Sequence, residues 1–236
     1  MRRPSQMAVA DDAEDLGKQL TDDKVQLGVF HGFEFAWARL KHPDLKPLIV
    51  MVDSPHCLCA KLVVFKGSSF TKLADLKGKN LAIPVYTREH CHLFIERRCV
   101  TTGDPLDRFF DKVATPPNME DALDGVIDGT YHAAVVDGAV LANYGKRKPG
   151  RYDKLRTLLE SETFPPDVVA CNSANLDEQI QKRISQGLIN AAQTPKGRLL
   201  LSICSINGFE MIPTDYDKAL KDIAKRYPSP EPRSEK

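Results

Sequence analysis

Short apolar segments alternate with amphipathic segments along most of the chain, and this alternation constrains the fold more than any other feature of the sequence. The apolar segments have the length of buried strands and occupy residues 24–30, 48–52, 61–66, 80–85, 131–136, 155–159 and 168–171. The amphipathic segments have the three-to-four spacing of helices and occupy residues 11–20, 33–40, 88–98, 119–127, 139–144, 176–192, 195–202 and 215–226. Strands that alternate with helices are typical of a parallel sheet covered by helices, so we predict an α/β protein.

Length and composition limit the classes of protein to which the chain can belong. A chain of 236 residues is long enough for one large domain or two small ones. Its 42% hydrophobic content, 28% charged content and net charge of +1 are ordinary for a globular protein and predict no broad basic surface for nucleic acid. No apolar run reaches the roughly 18 residues of a membrane-spanning helix, so we predict no transmembrane segment.

The N-terminus and the cysteines give predictions for the cellular compartment and for the redox state of the thiols. Residues 1–12 lack the apolar stretch of a secretory signal, which predicts a cytoplasmic protein if this start is the natural one. Six cysteines are scattered rather than regularly spaced, which argues against a disulfide scaffold; they are Cys57, Cys59, Cys91, Cys99, Cys171 and Cys204. Reduced thiols are the simpler interpretation, and one or two bridges in an exported form remain open.

Four stretches in a fixed order resemble the phosphate/phosphonate-type solute-binding proteins of ABC transporters. They are VQLGVFHGFEFAWA (25–38), LVVFKGSSFTKLADLKGKNLAIP (62–84), MEDALDGVIDGTYHAAVVDGAVLANY (119–144) and TPKGRLLLSICSINGFEMIPTDYD (194–217). The resemblance covers roughly residues 11–226. It implies a two-lobed type 2 periplasmic-binding fold, with a hinge between the lobes and a ligand cleft at the carboxyl ends of the strands.

The resemblance also implies how the chain is divided. Lobe 1 would comprise residues 1–66 and 166–226, lobe 2 residues 67–165, and the crossings would be residues 63–66 and 164–169. Residues 227–236, rich in proline and charge, are predicted to be a disordered tail. Compared with the family, we expect this chain to lack the first strand and helix of lobe 1 and the signal peptide, although the resemblance itself implies a periplasmic protein.

The predicted anion site lies where strand 80–85 leads into the next helix. The first N–H groups of a helix lack internal partners and favour a bound anion. Thr87 is predicted to cap this helix, and Arg88 offers a bidentate contact to an oxyanion. In the family this corner is Ser-Thr-Ser-Gly and binds phosphonate oxygens; only Thr87 matches it, and Glu89 would repel a dianion. The alternative is that Thr87 is only a cap and that Arg88 and Glu89 are solvated.

Further candidates follow from the positions of the family's cleft residues. Asp137 matches an acidic residue that meets an amine on the ligand, and an equally open interpretation is that it caps helix 139–144. Asn118 falls where the family has a cleft histidine, while His31 and His56 lie on loops of lobe 1. The complete predicted ligand-binding set is Tyr86, Thr87, Arg88, His90, Asp137, Asn118, His31 and His56.

The predicted function is capture of a small anionic solute, phosphate-like or phosphonate-like, for uptake or sensing with an ABC permease as partner. We predict no cofactor and no catalysis, and the oligomeric state stays open. One alternative is a zinc or copper site, with the ligands His56, Cys57, Cys59, His90, Cys91 and His92. Another is an enzyme on the same scaffold that uses Cys57, Cys91 or a cleft histidine, although no P-loop, Gly-x-Ser-x-Gly or His-Glu-x-x-His pattern supports it.

Overall fold

The computed structural model describes residues 7–52, 58–203 and 206–229. The strands in these residues are β1 (Gly28–Phe30), β2 (Leu45–Val52), β3 (Ala60–Phe65), β4 (Asn80–Ala82), β5 (Lys112–Ala114), β6 (Ala133–Asp137), β7 (Leu155–Glu160), β8 (Val168–Asn172) and β9 (Gly208–Glu210). The α-helices are α1 (Ala13–Thr21), α2 (Gly32–Lys41), α3 (Glu89–Val100), α4 (Leu106–Phe109), α5 (Met119–Ile127), α6 (Gly138–Arg147), α7 (Pro149–Tyr152), α8 (Glu178–Ile189), α9 (Pro195–Ile203) and α10 (Tyr216–Arg226). The predicted α/β class is confirmed.

Contacts between residues divide the chain into two compact units. Unit 1 comprises Met1–His56 and Pro165–Lys236, and unit 2 comprises Cys57–Phe164. The second boundary therefore falls inside the predicted crossing 164–169. The first predicted boundary, at residue 66, is wrong: β3 lies inside the sheet of unit 2, with β6 bonded to one edge and β7 to the other. Residues 63–66 are consequently not a crossing between lobes, because a strand with partners on both edges belongs to the sheet that contains it.

The described residues of each unit form one sheet, and neither sheet is fully parallel. In unit 1 the strand order is β1-β8-β2-β9, and every neighbouring pair is antiparallel. In unit 2 the order is β5-β4-β6-β3-β7; β4 runs parallel to β5 and β6, while β3 runs antiparallel to β6 and β7. The predicted parallel sheet therefore holds only for β5, β4 and β6.

The sheet of unit 2 is covered on both faces. Side chains alternate between the faces of a strand, so Leu62 and Val64 of β3 lie in one buried cluster and Val63 lies in the other. Helix α3 adds Phe94 to the first cluster, and α5 adds Leu123 to the second. Strand β6, between β4 and β3, is buried along its whole length and ends at Asp137. The core of unit 2 thus places Asp137 at the carboxyl end of an interior strand.

The residue that follows α10 is buried within unit 1. Tyr227 is 3% exposed, and its carbonyl accepts a hydrogen bond of 2.7 Å from the indole N–H of Trp37. The predicted disordered tail therefore starts too early, because Tyr227 belongs to the fold; residues 230–236 lie outside the described residues. Among the helices of the three described ranges, none has the length and apolar character that a membrane span requires.

Candidate functional site

The segment after β4 brings Thr87 into the protein instead of to the helix cap. The N–H of Thr87 donates to the carbonyl of Pro84 at 3.0 Å, which closes a turn just before α3. The side chain is buried, and its Oγ1 atom has no hydrogen-bond partner. The residue that caps α3 is Arg88, whose backbone is extended and whose side chain makes no capping bond. The prediction that Thr87 caps this helix is therefore wrong.

Asp137 occupies the junction of β6 and α6. Its Oδ1 atom accepts hydrogen bonds from the N–H groups of Ala139 at 2.8 Å and Val140 at 3.3 Å, so the predicted capping role is confirmed. A Cβ atom at Gly138 would lie 2.5 Å from the Sγ of Cys59, so glycine is what lets the Cys59 side chain pack against the start of α6. The other carboxylate oxygen of Asp137, Oδ2, is buried and has no aligned hydrogen bond.

Arg88, His90 and Asp137 meet where α3 and α6 begin. The Nε2 atom of His90 lies 3.3 Å from Oδ2 of Asp137, and the Nε of Arg88 lies 4.0 Å from the same oxygen. His90 and Asp137 are both almost fully buried, whereas Arg88 is 42% exposed. We call Thr87, Arg88, His90 and Asp137 the α3–α6 cluster. It combines a cation open to solvent with two buried oxygens that lack hydrogen-bond partners, which suits a polar ligand.

The cluster has poor geometry for nucleophilic catalysis. The Sγ of Cys91 lies 3.5 Å from Nε2 of His90, the same nitrogen that faces Asp137. A relay needs one ring nitrogen for the nucleophile and the other for the carboxylate. Cys91 is also fully buried, and burial raises the pKa of its thiol well above the ordinary value. The contacts of Cys91 therefore give no support to the enzyme alternative.

Three further residues of the predicted ligand-binding set do not belong to this cluster. Tyr86 is 88% exposed on the loop before α3. Asn118 caps α5, accepting from the N–H of Asp121 at 2.9 Å, so its side chain serves the helix. His31 belongs to unit 1, where its Nδ1 lies 3.1 Å from Oδ1 of Asp167 and its ring stacks on Phe33.

The structure describes only some of the residues proposed as zinc or copper ligands. His56 and Cys57 lie outside the described residues. Within residues 7–52, 58–203 and 206–229, no group of three or more His, Cys, Asp or Glu side chains could hold a metal ion. Of the other proposed ligands, Cys59 is half-buried, and burial followed by the charge of Glu160 raises its pKa. His92 is half-buried on α3.

Two residues that the sequence did not single out contribute to these arrangements. Asp167 pairs with His31 in unit 1. Phe164 packs its ring on His90 in unit 2, with centroids 5.3 Å apart. The resemblance did imply a crossing at residues 164–169, but no sequence signal indicated that Phe164 would contact a histidine far earlier in the chain.

Asp137 gives a prediction for acid stability. Burial opposes its ionisation, but the imidazole of His90, the guanidinium of Arg88 and the N–H of Ala139 outweigh this and hold its pKa below the ordinary value of 3.8. A lowered carboxyl pKa stabilises the fold above the unfolded-state pKa, and that contribution is lost as the pH falls through the folded-state pKa. We expect Asp137→Asn to cost about 1–2 kcal/mol at pH 7, and we expect this cost to decrease progressively as the pH falls below the ordinary carboxyl pKa of 3.8 and through the lower folded-state pKa.

Urea unfolding between pH 7 and about pH 2, a range that extends below the unfolded-state pKa, measures this difference. Asp107→Asn, at an exposed position on α4, is the control. A cost for Asp137→Asn that stays constant over this range would contradict the assignment.

Comparison with known proteins assigns the chain to a family. A family model described as "ABC transporter, phosphonate, periplasmic substrate-binding protein" matches residues 1–216. No curated protein matches the chain in sequence.

Solved structures share the fold at low sequence identity. The protein XAC2383 from Xanthomonas citri bound to ATP has a TM-score of 0.67 and 15% identity, over 95% of this chain and 86% of that one. PhnD1 from Prochlorococcus marinus in complex with methylphosphonate has a TM-score of 0.56 and 16% identity, over 91% and 83%. A binding protein component of an ABC phosphonate transporter from Pseudomonas aeruginosa has a TM-score of 0.56 and 14% identity, over 91% and 72%. These similarities confirm the predicted type 2 periplasmic-binding fold, and the family match shows that the chain belongs to the periplasmic substrate-binding proteins of ABC phosphonate transporters.

Proposed function

We propose that the protein captures a small phosphonate-type anion at the α3–α6 cluster for an ABC permease. The observation that carries the proposal is the pair of buried oxygens without hydrogen-bond partners, Oγ1 of Thr87 and Oδ2 of Asp137. Leaving such an atom unpaired costs about 1–3 kcal/mol. A bound solute that accepts from the hydroxyl and donates to the carboxylate satisfies both atoms, and at Oδ2 it competes with the imidazole of His90, which lies 3.3 Å away.

Electrostatics favour an anion that also carries a donor. The start of α3, a helix of 12 residues, contributes partial positive charge, and Arg88 adds a full positive charge beside it. Asp137 and the exposed Glu89 reduce the net potential. We therefore propose that a monoanion or an amine-bearing phosphonate binds more tightly than a dianion, with the hydroxyl or amine of the ligand directed at Asp137.

Thermal unfolding with added solutes tests the proposal. The panel contains methylphosphonate, 2-aminoethylphosphonate, phosphate, methanesulfonate, small carboxylates, zinc and copper. A solute at about 100 times its Kd should stabilise the protein by about 2.7 kcal/mol, in a concentration-dependent manner. Stabilisation by zinc or copper alone would replace this proposal with the metal alternative.

The double variant Thr87→Ala, Arg88→Ala locates the site. We expect it to abolish the anion-induced shift, because it removes the buried hydroxyl and the exposed guanidinium together. Arg108→Ala, which removes an exposed arginine of the same unit on α4, should keep the full shift. A full shift retained by the double variant would exclude this cluster as the anion site.

A further inference from the structure

We propose that His90 is a positioning residue that couples occupancy of the α3–α6 cluster to the bridge between Leu58 and Phe164. These two residues lie at the ends of unit 2, where the chain enters and leaves it. The inference rests on the proposed function, since it assigns a regulatory contact to that same site.

The polar side of His90 faces the ligand-binding atoms. Its Nε2 lies 3.3 Å from Oδ2 of Asp137, the oxygen that has no aligned hydrogen bond. A ligand group that donates to Oδ2 competes with the imidazole for the same oxygen. Ligand binding therefore changes the contact between Asp137 and His90.

The apolar side of His90 faces Phe164. The two ring centroids lie 5.3 Å apart, with the planes inclined at 46°. His90 is 4% exposed and Phe164 is 2% exposed, so both rings lie in the packed interior. Because interiors are close-packed, the imidazole cannot change position without displacing the ring of Phe164.

Displacement of the Phe164 ring also moves the backbone of this residue. Its N–H donates to the carbonyl of Leu58 at 2.8 Å in an isolated antiparallel bridge. Pro165 and Pro166 follow directly. Their φ angles are fixed and they restrict the residue before them, so rotation at these positions absorbs little of a displacement. A shift at Phe164 therefore reaches the bridge and the start of the crossing.

Coupling of this kind is reciprocal. If ligand binding strengthens the Leu58–Phe164 bridge by some factor, then loss of the bridge contact weakens ligand binding by the same factor. Hydrogen exchange at the Phe164 amide measures the first effect, and calorimetric titration with methylphosphonate measures the second. For the wild type, we expect saturating methylphosphonate to slow exchange at this amide about tenfold.

The test compares three variants in the full chain. Phe164→Leu, which removes the ring but keeps an apolar side chain, should bind methylphosphonate about tenfold more weakly and lose the ligand-dependent protection. Phe164→Tyr, which keeps the ring, should restore both. Phe109→Leu removes another buried ring of unit 2, and it should behave as the wild type in both measurements.

The outcomes separate this inference from the proposed function. Wild-type affinity together with full ligand-dependent protection in Phe164→Leu would overturn the coupling while leaving the anion site intact. If no solute of the anion panel binds the wild type, the proposed function fails and the coupling fails with it. Should Phe164→Leu not fold, His90→Gln provides the same test, because glutamine keeps a polar group beside Asp137 but has no ring; retained protection in that variant would also overturn the coupling.

Discussion

Gly32→Ala is expected to lower the free energy of unfolding of unit 1 by about 3 kcal/mol, the upper range for overpacking a well-packed site. Gly32 is the first residue of α2, and a Cβ atom there would lie 2.2 Å from the carbonyl oxygen of Pro165 and 2.7 Å from that of Pro166. These are backbone atoms, so no side-chain rotation relieves the clash. The helix and the adjoining segment must move apart.

Urea unfolding followed by the fluorescence of Trp37, the single tryptophan of the chain, measures the effect within unit 1. Gly187→Ala is a matched control on α8, because nothing lies within 4 Å of its added Cβ. Alanine there should stabilise by about 0.5–1 kcal/mol through helix propensity. A loss below about 1 kcal/mol for Gly32→Ala would show that the backbone at Pro165 yields easily.

Asp124→Ala is expected to destabilise unit 2 by about 2–3 kcal/mol, because one carboxylate is shared by three donors. Its Oδ1 accepts from the Tyr144 hydroxyl at 2.5 Å and from Nε of Arg151 at 2.6 Å, and its Oδ2 lies 2.9 Å from Nζ of Lys148. Tyr144 is 1% exposed, and burial together with the Asp124 carboxylate raises its pKa to about 12. Removing the carboxylate leaves a buried hydroxyl without its acceptor.

Thermal and urea unfolding of Asp124→Ala test this assignment. Lys182→Ala breaks a pair with Glu178 on α8 in which both side chains are more than 70% exposed, and it should change stability by less than about 0.5 kcal/mol. Asp124→Asn should recover part of the loss, since an amide oxygen still accepts from Tyr144. Equal effects of Asp124→Ala and Lys182→Ala would refute the role of this carboxylate.

Local sequence patterns predicted the elements and some of the caps. The apolar spacing of residues 119–127 predicted the bounds of α5 as observed, and a cap of α6 was one of the two roles predicted for Asp137. Both depend on interactions within a few residues along the chain, such as helical spacing and a side chain that accepts from the next N–H groups. The resemblance added the family, which no local pattern could supply, and it is the source of the proposed position of the anion site.

Long-range pairing decided what the sequence could not. The resemblance implied a crossing at residues 63–66, and only the hydrogen bonds of β3 to β6 and β7 placed this strand inside unit 2. A short apolar strand carries no mark of its partners in the sequence. Gly32 precedes the predicted helix 33–40, and no local pattern marked it, yet its lack of a side chain matters because of Pro165.

The amino-acid sequence by itself determined the α/β alternation, the helix that begins after β4 and the chemistry offered near it. Only the tertiary structure decided that Thr87 is turned inward, that His90 lies between Asp137 and Phe164, and that the sheets are mixed. The physical reason is that helix and strand propensity act over a few neighbouring residues. Strand direction and side-chain contacts, by contrast, are set by hydrogen bonds and packing between segments far apart in the chain.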